Sequence, residues 1–304
     1  MSKENSGLNI NKNIQTSVAT PARTKDIIAK HHFTFKKSLG QNFLIDQNVL
    51  QKIVNAAELD NEQAVLEIGP GIGALTERLA AVASAVTAVE IDQRLIPILQ
   101  EQFSNDEHVS IVHGDILKLD LPTFFEQQFA SYETVNVVAN LPYYVTTPIL
   151  MNLLEANLPL HHIVIMIQKE VAQRMAAKPG GKDYGSLSVA VQYYCTTELV
   201  GIVPNTVFIP KPNVDSAVIK LTKRTEPAVS VEDELHFFKT VQTSFSQRRK
   251  TLANNLIAMA GKDNKQAMLE MLESIGIDAG RRGETLTLHE FALISDSFLK
   301  VGWV

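Results

Sequence analysis

The stretch VLEIGPGIGALTERL, residues 65–79, places three glycines between an apolar run that predicts a buried strand and an amphipathic run that predicts a helix. Glycine lets the backbone turn sharply there and approach a ligand closely. The spacing through Gly69, Gly71 and Ala74 also fits the relaxed dinucleotide fingerprint. The loop by itself therefore leaves NAD, S-adenosylmethionine and a merely tight strand-to-helix turn open.

Short apolar runs and helical patterns alternate along the chain on both sides of this loop. Such alternation is typical of βαβ units, in which a mostly parallel sheet carries helices on both faces. Two later runs predict a closing antiparallel pair, which makes a seven-stranded sheet. The predicted fold class is therefore α/β and Rossmann-like. The predicted strands are residues 64–69, 85–91, 109–115, 134–141, 162–168, 197–204 and 216–224.

Composition changes along the chain predict its domains. Residues 1–20 are polar and lack the apolar stretch of a secretory signal, so they predict a disordered tail. Residues 21–222 carry the α/β pattern. Residues 223–233 are polar, include a proline and predict a linker, and residues 234–304 show helical patterns that predict a small all-α domain.

The overall composition predicts a cytoplasmic globular protein. Apolar residues make up 45% of the 304 residues and charged residues 20%. No apolar run approaches the roughly 18 residues that predict a membrane span. The one cysteine, Cys195, excludes an internal disulfide. The histidines of the pairs His31-His32 and His161-His162 are adjacent and not at metal-ligand spacing, and one cysteine offers no thiolate cluster. No metal is therefore predicted.

The net charge of −5 argues against nucleic acid as a partner, but the basic residues are clustered. Lys36 and Lys37 are adjacent near the N-terminus, and Arg248, Arg249 and Lys250 are consecutive in the C-terminal part. On a shared face they would form a track for RNA phosphates. On separate faces they would be ordinary solvated surface.

Two acids follow the next two predicted strands. Glu90 ends the second strand, where a carboxylate accepts hydrogen bonds from the ribose hydroxyls of a nucleoside cofactor. Asp115 ends the third strand, where it can accept from an adenine amino group. Ligand-type residues at three consecutive strand ends indicate a methyltransferase that uses S-adenosyl-L-methionine.

The fourth strand ends in Asn140-Leu141-Pro142-Tyr143. The N6 lone pair of adenine is delocalised into the ring, so a methyltransferase must hold N6 in line with the methyl group and favour a tetrahedral nitrogen. The Asn140 side-chain oxygen and the Leu141 carbonyl are two acceptors for the N6 hydrogens. Pro142 restricts the backbone of Leu141, and Tyr143 can stack on a flipped-out base.

This fourth motif resembles the catalytic motif of the rRNA adenine-N6 dimethyltransferases. Further matches are KSLGQNFLID (37–46), VFIPKPNVDSAV (207–218), FSQRRKTLANNL (245–256) and RRGETLTLHEFALIS (281–295). The resemblance implies that Phe208 packs on the target adenine opposite Tyr143. It also implies that the cofactor is contacted by Asn42, Leu44, Gly69, Gly71, Glu90, Asp115 and Asn140.

The resemblance implies a monomeric enzyme that dimethylates two adjacent adenosines in a hairpin loop near the 3′ end of 16S rRNA, within the immature 30S subunit. A large-subunit methyltransferase of the macrolide-resistance kind shares the fold and the Asn-x-Pro-Tyr pattern. Leu141 and the motifs LGQNFL and FSQRRK favour the small-subunit enzyme. A non-catalytic assembly or transcription factor on the same fold is a further alternative, against which the intact motif speaks. Tyr144 is expected to pack beneath the loop.

Overall fold

The computed structural model describes residues 18–31, 33–36 and 39–303. Lys37, most of the predicted tail and the C-terminal residue lie outside the described residues. The last residues of that tail are packed, because Val18 and Ala19 are buried and the Val18 N–H donates to Glu77 Oε2 at 3.2 Å. The prediction that the disordered tail extends to residue 20 is therefore wrong for its last residues.

The described residues form nine strands: β1 Phe43–Leu44, β2 Ala64–Ile68, β3 Ala85–Glu90, β4 Val109–His113, β5 Val135–Asn140, β6 Leu160–Gln168, β7 Cys195–Val203, β8 Phe208–Ile209 and β9 Ser216–Lys223. Seven of them form one sheet in the order β4-β3-β2-β5-β6-β9-β7. The five strands from β2 to β6 pair in parallel, and β9 pairs antiparallel with β6. The α/β fold class with a mostly parallel sheet is therefore confirmed.

The central strands are the apolar ones for a physical reason. All five residues of β2 are buried, because a parallel strand with helices on both faces meets no water. β4 lies at an edge of the sheet and is only partly buried. A second, two-stranded sheet was not predicted: β1 pairs antiparallel with β8 and places Leu44 opposite Phe208.

The helices begin at the caps that the sequence offers. Asp46 accepts the Val49 N–H at 3.0 Å, as its predicted N-cap role requires, and Thr20 accepts the Arg23 N–H at 3.2 Å. The α-helices of the described residues are α1 Pro21–Lys30, α2 Gln47–Ala56, α3 Ala74–Ala80, α4 Ile96–Gln102, α5 Leu121–Phe129, α6 Thr146–Glu155, α7 Lys169–Met175, α8 Ser186–Tyr194, α9 Glu234–Ser244, α10 Leu252–Ala260, α11 Lys265–Ser274 and α12 Leu288–Lys300.

The chain divides into two compact units. The first contains the described residues up to Lys169 together with Leu199–Thr222, and the second contains Glu170–Glu198 together with the described residues from Lys223 onward. Within the second unit, Tyr193 of α8 packs on Phe237 of α9 with ring centroids 5.1 Å apart. Aromatic packing of this kind joins α8 to the C-terminal helices. Among the described residues, no helix combines the length and apolar character that crossing a bilayer requires.

Candidate active site

Four neighbouring parallel strands end at one edge of the sheet, and each carries a predicted site residue there. Gly69 follows β2, Glu90 ends β3, Asp115 follows β4 and Asn140 ends β5. In parallel strands the carboxyl ends share an edge, so the strand order places these residues side by side. All four line one open cavity of about 1200 Å³, a volume that includes space open to solvent.

The glycines of the loop serve two different purposes. Gly69 and Gly71 both have left-handed backbones, with φ of +69° and +61°. A Cβ atom on Gly69 would meet no atom of the described residues within 4 Å, so the space above it belongs to the cavity. A Cβ atom on Gly71 would lie 3.0 Å from the ring of Phe43. Gly69 therefore leaves room for a ligand, whereas Gly71 leaves room for the segment that carries β1.

Backbone amides hold the Glu90 carboxylate in place. Glu90 is only 4% exposed, and it accepts the Gly71 N–H at 3.1 Å and the Asp92 N–H at 2.8 Å. Burial raises the pKa of Glu90, while these two N–H groups act against that rise. The carboxylate is thus oriented before any ligand binds, which favours recognition of paired hydroxyl groups.

The strand itself contributes an acid that the sequence reasoning missed. Glu67 of β2 is 1% exposed and lines the cavity. Burial raises its pKa to about 8, so the side chain is mostly protonated at neutral pH. Its Oε2 atom has no hydrogen-bond partner among the described groups. A lone acid within the apolar run AVLEIG was the signal that could have revealed it.

Hydrogen bonds to the Asp92–Arg94 ion pair tie the N-terminal segment to the chain just after β3. Asp92 is 3% exposed, and it accepts from Arg94 Nη2 at 2.6 Å and from Gln41 Nε2 at 2.8 Å. The hydrogen bonds from Arg94 are the main reason that the pKa of Asp92 falls to about 2. Arg94 also donates to the Thr34 carbonyl at 2.9 Å. These contacts position the chain just before Asn42.

Asn42 and Leu44 reach the cavity from this segment. Leu44 is buried in the β1–β8 pair, and both residues line the cavity. The Asn140 Nδ2 atom donates to the Asn42 carbonyl at 3.3 Å, and the Asn42 Nδ2 atom donates to the Gly40 carbonyl at 3.0 Å. The hydrogen bond to Asn42 orients the Asn140 amide, whose Oδ1 atom is its one acceptor.

Asp115 is positioned by its own loop. Its Oδ1 atom accepts the Leu117 N–H at 3.1 Å, and its Oδ2 atom lies 3.7 Å from Lys118 Nζ. The side chain is 26% exposed and belongs to the cavity lining. A carboxylate held in this way retains lone pairs for an amino group in the cavity.

The backbone after Asn140 is fixed at both ends of the turn. The Leu141 N–H donates to the Met166 carbonyl at 3.1 Å, which continues the pairing of β5 with β6. The Pro142 carbonyl accepts the Val145 N–H at 3.2 Å and closes the turn before α6. The turn therefore presents its residues to the cavity from a rigid frame.

Two aromatic residues of the prediction line the same cavity. Tyr143 is half-buried, and its hydroxyl is hydrogen-bonded to Ser216 Oγ at 2.8 Å. Burial raises the pKa of Tyr143. Phe208 is only 4% exposed and enters the lining from β8. The structure thus brings together every predicted catalytic and cofactor-contacting residue.

The predicted basic residues fall in both units. Lys36 belongs to the first unit and is exposed, and its backbone N–H donates to Gln41 Oε1 at 2.9 Å. In the second unit, Arg249 and Lys250 are exposed. The phosphate track therefore stays a prediction.

Arg248 is exposed but engaged within the second unit. Its Nε atom donates to Glu284 Oε2 at 3.1 Å, and its Nη2 atom donates to the Lys182 carbonyl. Part of its hydrogen-bonding capacity is thus used within the protein. In the part of the chain that the structure describes, no group of three or more His, Cys, Asp or Glu side chains is arranged to hold a metal ion.

Comparison with known proteins places the chain among RNA methyltransferases. A family model described as ribosomal RNA adenine dimethylase matches residues 32–298. A protein of Bacillus licheniformis named ribosomal RNA small subunit methyltransferase A is 57% identical, and the match covers 93% of this chain and 98% of that protein. A protein of Bacillus pumilus with the same name is 58% identical, with 93% and 98% covered.

Two solved structures resemble the chain at lower sequence identity. A dimethyladenosine transferase from Plasmodium falciparum aligns with a TM-score of 0.73 at 26% identity, over 86% of this chain and 98% of the other. The 23S rRNA methyltransferase ErmE aligns with a TM-score of 0.64 at 28% identity, over 84% of this chain and 99% of the other.

Proposed function

This chain belongs to the ribosomal RNA adenine dimethylase family, and from that premise we propose that it dimethylates N6 of two adjacent adenosines in a hairpin loop near the 3′ end of 16S rRNA. The chain is an enzyme, an S-adenosylmethionine-dependent rRNA adenine dimethyltransferase. When bound, S-adenosylmethionine supplies an electrophilic methyl group on a sulfonium. The residues of the chain position the target adenine, accept hydrogen bonds from its N6 group and exclude water from the reacting atoms.

The orientation of the Asn140 amide is the observation that carries the proposal. Because its nitrogen donates to the Asn42 carbonyl, its oxygen is available to accept an N6 hydrogen of adenine. The Leu141 carbonyl is the second acceptor of the proposal. Acceptors on the N6 hydrogens favour a tetrahedral nitrogen and stabilise the positive charge that develops on it. A base that already carries one methyl group retains one N–H, so the second transfer can use one of these acceptors.

The cavity fits an adenosyl cofactor on several observations. The space above Gly69 is open, and a buried carboxylate at Glu90 is already oriented for two hydroxyl groups. Asp115 stands ready to accept from an adenine amino group. The Oε2 atom of Glu67 is a buried polar atom at the cavity that lacks a partner among the described residues. We assign these residues, with Gly71, Asn42 and Leu44, to cofactor binding.

The target base is assigned to the opposite end of the cavity, beside Tyr143. A base must leave its stack to reach a cavity of this kind, and aromatic side chains replace part of the lost stacking. The hydrogen bond to Ser216 holds the ring of Tyr143, and Phe208 is the second aromatic residue in the lining. Pro142 keeps the Leu141 carbonyl aimed by restricting the backbone before it.

We assign the substrate to the small subunit because the relatives above 55% identity carry that name, whereas the 23S enzyme aligns at 28% identity. The proposed context is a monomer in the cytoplasm that acts on 16S rRNA within the immature 30S subunit. Lys36, Lys37, Arg248, Arg249 and Lys250 are the proposed phosphate contacts.

A methylation assay on isolated small and large ribosomal particles tests the substrate. Product nucleosides are separated by mass spectrometry, and N6,N6-dimethyladenosine is expected in small-subunit RNA. Methyl transfer to large-subunit RNA alone would refute the assignment.

Asn140→Ala tests the acceptor role with the same particles. The variant is expected to lose about 100-fold or more in kcat, the order found when one charge-stabilising group is removed, while its affinity for the particle stays unchanged. The matched control is Asn105→Ala, which removes an amide from an exposed turn. Full transfer activity in Asn140→Ala would contradict the assigned role.

A further inference from the structure

Tyr144 is an aromatic side chain at the mouth of the cavity. It follows Tyr143 in the turn, lines the same cavity and is 59% exposed. The expectation that it packs beneath the loop is therefore wrong. Tyr143 and Tyr144 are the two central residues of the turn that the 3.2 Å hydrogen bond from the Val145 N–H to the Pro142 carbonyl closes. Tyr143 enters the cavity, whereas Tyr144 remains at its rim.

One part of the Tyr144 ring rests against the backbone at Gly40. A Cβ atom on Gly40 would lie 3.3 Å from the Tyr144 Cε1 atom and 3.2 Å from the Pro142 Cβ atom. The φ angle of Gly40 is +58°, a conformation that favours glycine. The ring is thus supported on one side by main chain and is open to solvent on the other.

The contact with Gly40 covers only one side of the Tyr144 ring, which is 59% exposed. A phenol ring left in water gives up the stabilisation that its burial would bring. Within the described part of the chain, the Tyr144 hydroxyl makes no hydrogen bond that would explain the position. An aromatic face that is open, supported from behind and adjacent to a base-binding cavity has the properties of a stacking platform.

We propose that Tyr144 is a substrate-positioning residue that stacks on the nucleobase next to the target adenosine. The inference rests on the proposed function, because it needs an RNA base in the cavity. When one adenosine leaves the stack, its neighbour loses a stacking partner, which costs a few kcal/mol. The Tyr144 ring replaces that partner at the mouth. Stacking tolerates any base, so the same platform serves whichever of two adjacent adenosines occupies the cavity.

Steady-state kinetics on Tyr144 variants test the platform. Tyr144→Ala is expected to raise the KM for the RNA substrate at least about tenfold, the effect of losing one stacked base, and to leave the KM for S-adenosylmethionine unchanged. Tyr144→Phe and Tyr144→Trp keep a ring and are expected to stay within about threefold of the wild type. The control Val82→Ala truncates an exposed apolar side chain just before β3, at the amino ends of the strands and away from the cavity.

A fluorescent base gives a readout that a purely structural role would not change. In an RNA hairpin with 2-aminopurine beside the target adenosine, the probe should stay quenched on binding to the wild type and to Tyr144→Phe. It should brighten on binding to Tyr144→Ala. Circular dichroism and thermal unfolding of each variant confirm that it is folded.

The results separate the inference from the proposed function. If wild-type enzyme methylates the small particle and Tyr144→Ala matches it in KM and in quenching, the platform is refuted while the function stands. If Tyr144→Phe is as impaired as Tyr144→Ala, the hydroxyl and not the ring is responsible, and the platform is again refuted. If wild-type enzyme methylates only another RNA, the function fails, and the same comparison on that RNA still tests Tyr144.

Discussion

The protonated state of Glu67 gives the sharpest quantitative test of the site. Burial raises its pKa from an ordinary value of 4.5 to about 8, so the folded state binds a proton that the unfolded state has released. Stability from this group is fully present below about pH 4.5 and is lost as the pH rises to about 8. The slope between these limits is about −1.4 kcal/mol per pH unit, or roughly 5 kcal/mol in total.

Glu67→Gln removes the titration while it keeps the shape and the uncharged state of the side chain. Wild-type stability should therefore fall relative to the variant as the pH rises from about 5 to about 8. Urea unfolding followed by circular dichroism at several pH values measures the difference. Because the chain has two units, the transition of the first unit has to be analysed separately. Glu62→Gln, which makes the same replacement in an exposed turn before β2, is the matched control.

Infrared spectroscopy provides a direct check that does not depend on the unfolding model. A difference spectrum of wild type minus Glu67→Gln at neutral pH should show the carbonyl band of a protonated carboxylic acid. A carboxylate band in its place, together with parallel stability profiles for the two proteins, would refute the argument from burial.

Three further changes test other parts of the site. Glu90→Ala should weaken S-adenosylmethionine binding about 10-fold or more, because hydrogen bonds to a charged group are lost, and unchanged affinity by calorimetry would count against the ribose contact. Tyr143→Phe removes the half-buried hydroxyl that pairs with the buried Ser216, so the free energy of unfolding, measured by denaturant titration, should fall by about 1 kcal/mol. The ring remains, so the rate of methyl transfer should stay close to that of the wild type. Replacing Arg249 and Lys250 by Ala should make the plot of the logarithm of the RNA-binding constant against the logarithm of salt concentration less steep by about one to two released counterions. An unaltered slope would show that the two side chains do not contact phosphates.

The fold was predictable because its signals are local and repeated. A parallel strand covered on both faces must be apolar over its whole length, as β2 is, and helical patterns between such runs imply the parallel connections. The same repetition explains why Gly69, Glu90, Asp115 and Asn140 could be assigned to one site from their positions in the sequence. Each follows or ends a strand, and the carboxyl ends of parallel strands meet at one edge.

Features built from distant segments were not predictable in this way. The β1–β8 pair has only two residues in each strand, too few to show a period, and its partners are far apart in the sequence. The second unit includes Glu170–Glu198, because Tyr193 packs on Phe237, whereas composition marked only the polar segment 223–233 as a boundary. Packing between segments leaves no compositional trace at the place where a unit begins.

The amino-acid sequence by itself determined the α/β architecture, the sheet edge at which the proposed site lies and the residue types proposed to act on an adenine nitrogen. These follow from periodicity and from the chemistry of single side chains at strand ends. Only the tertiary structure decided that the Asn42 carbonyl engages the Asn140 amide nitrogen, that burial raises the pKa of Glu67 and that Tyr144 stands exposed beside Gly40. Those properties depend on what lies next to a residue in space, because hydrogen bonding, desolvation and exposure are set by neighbours from other segments.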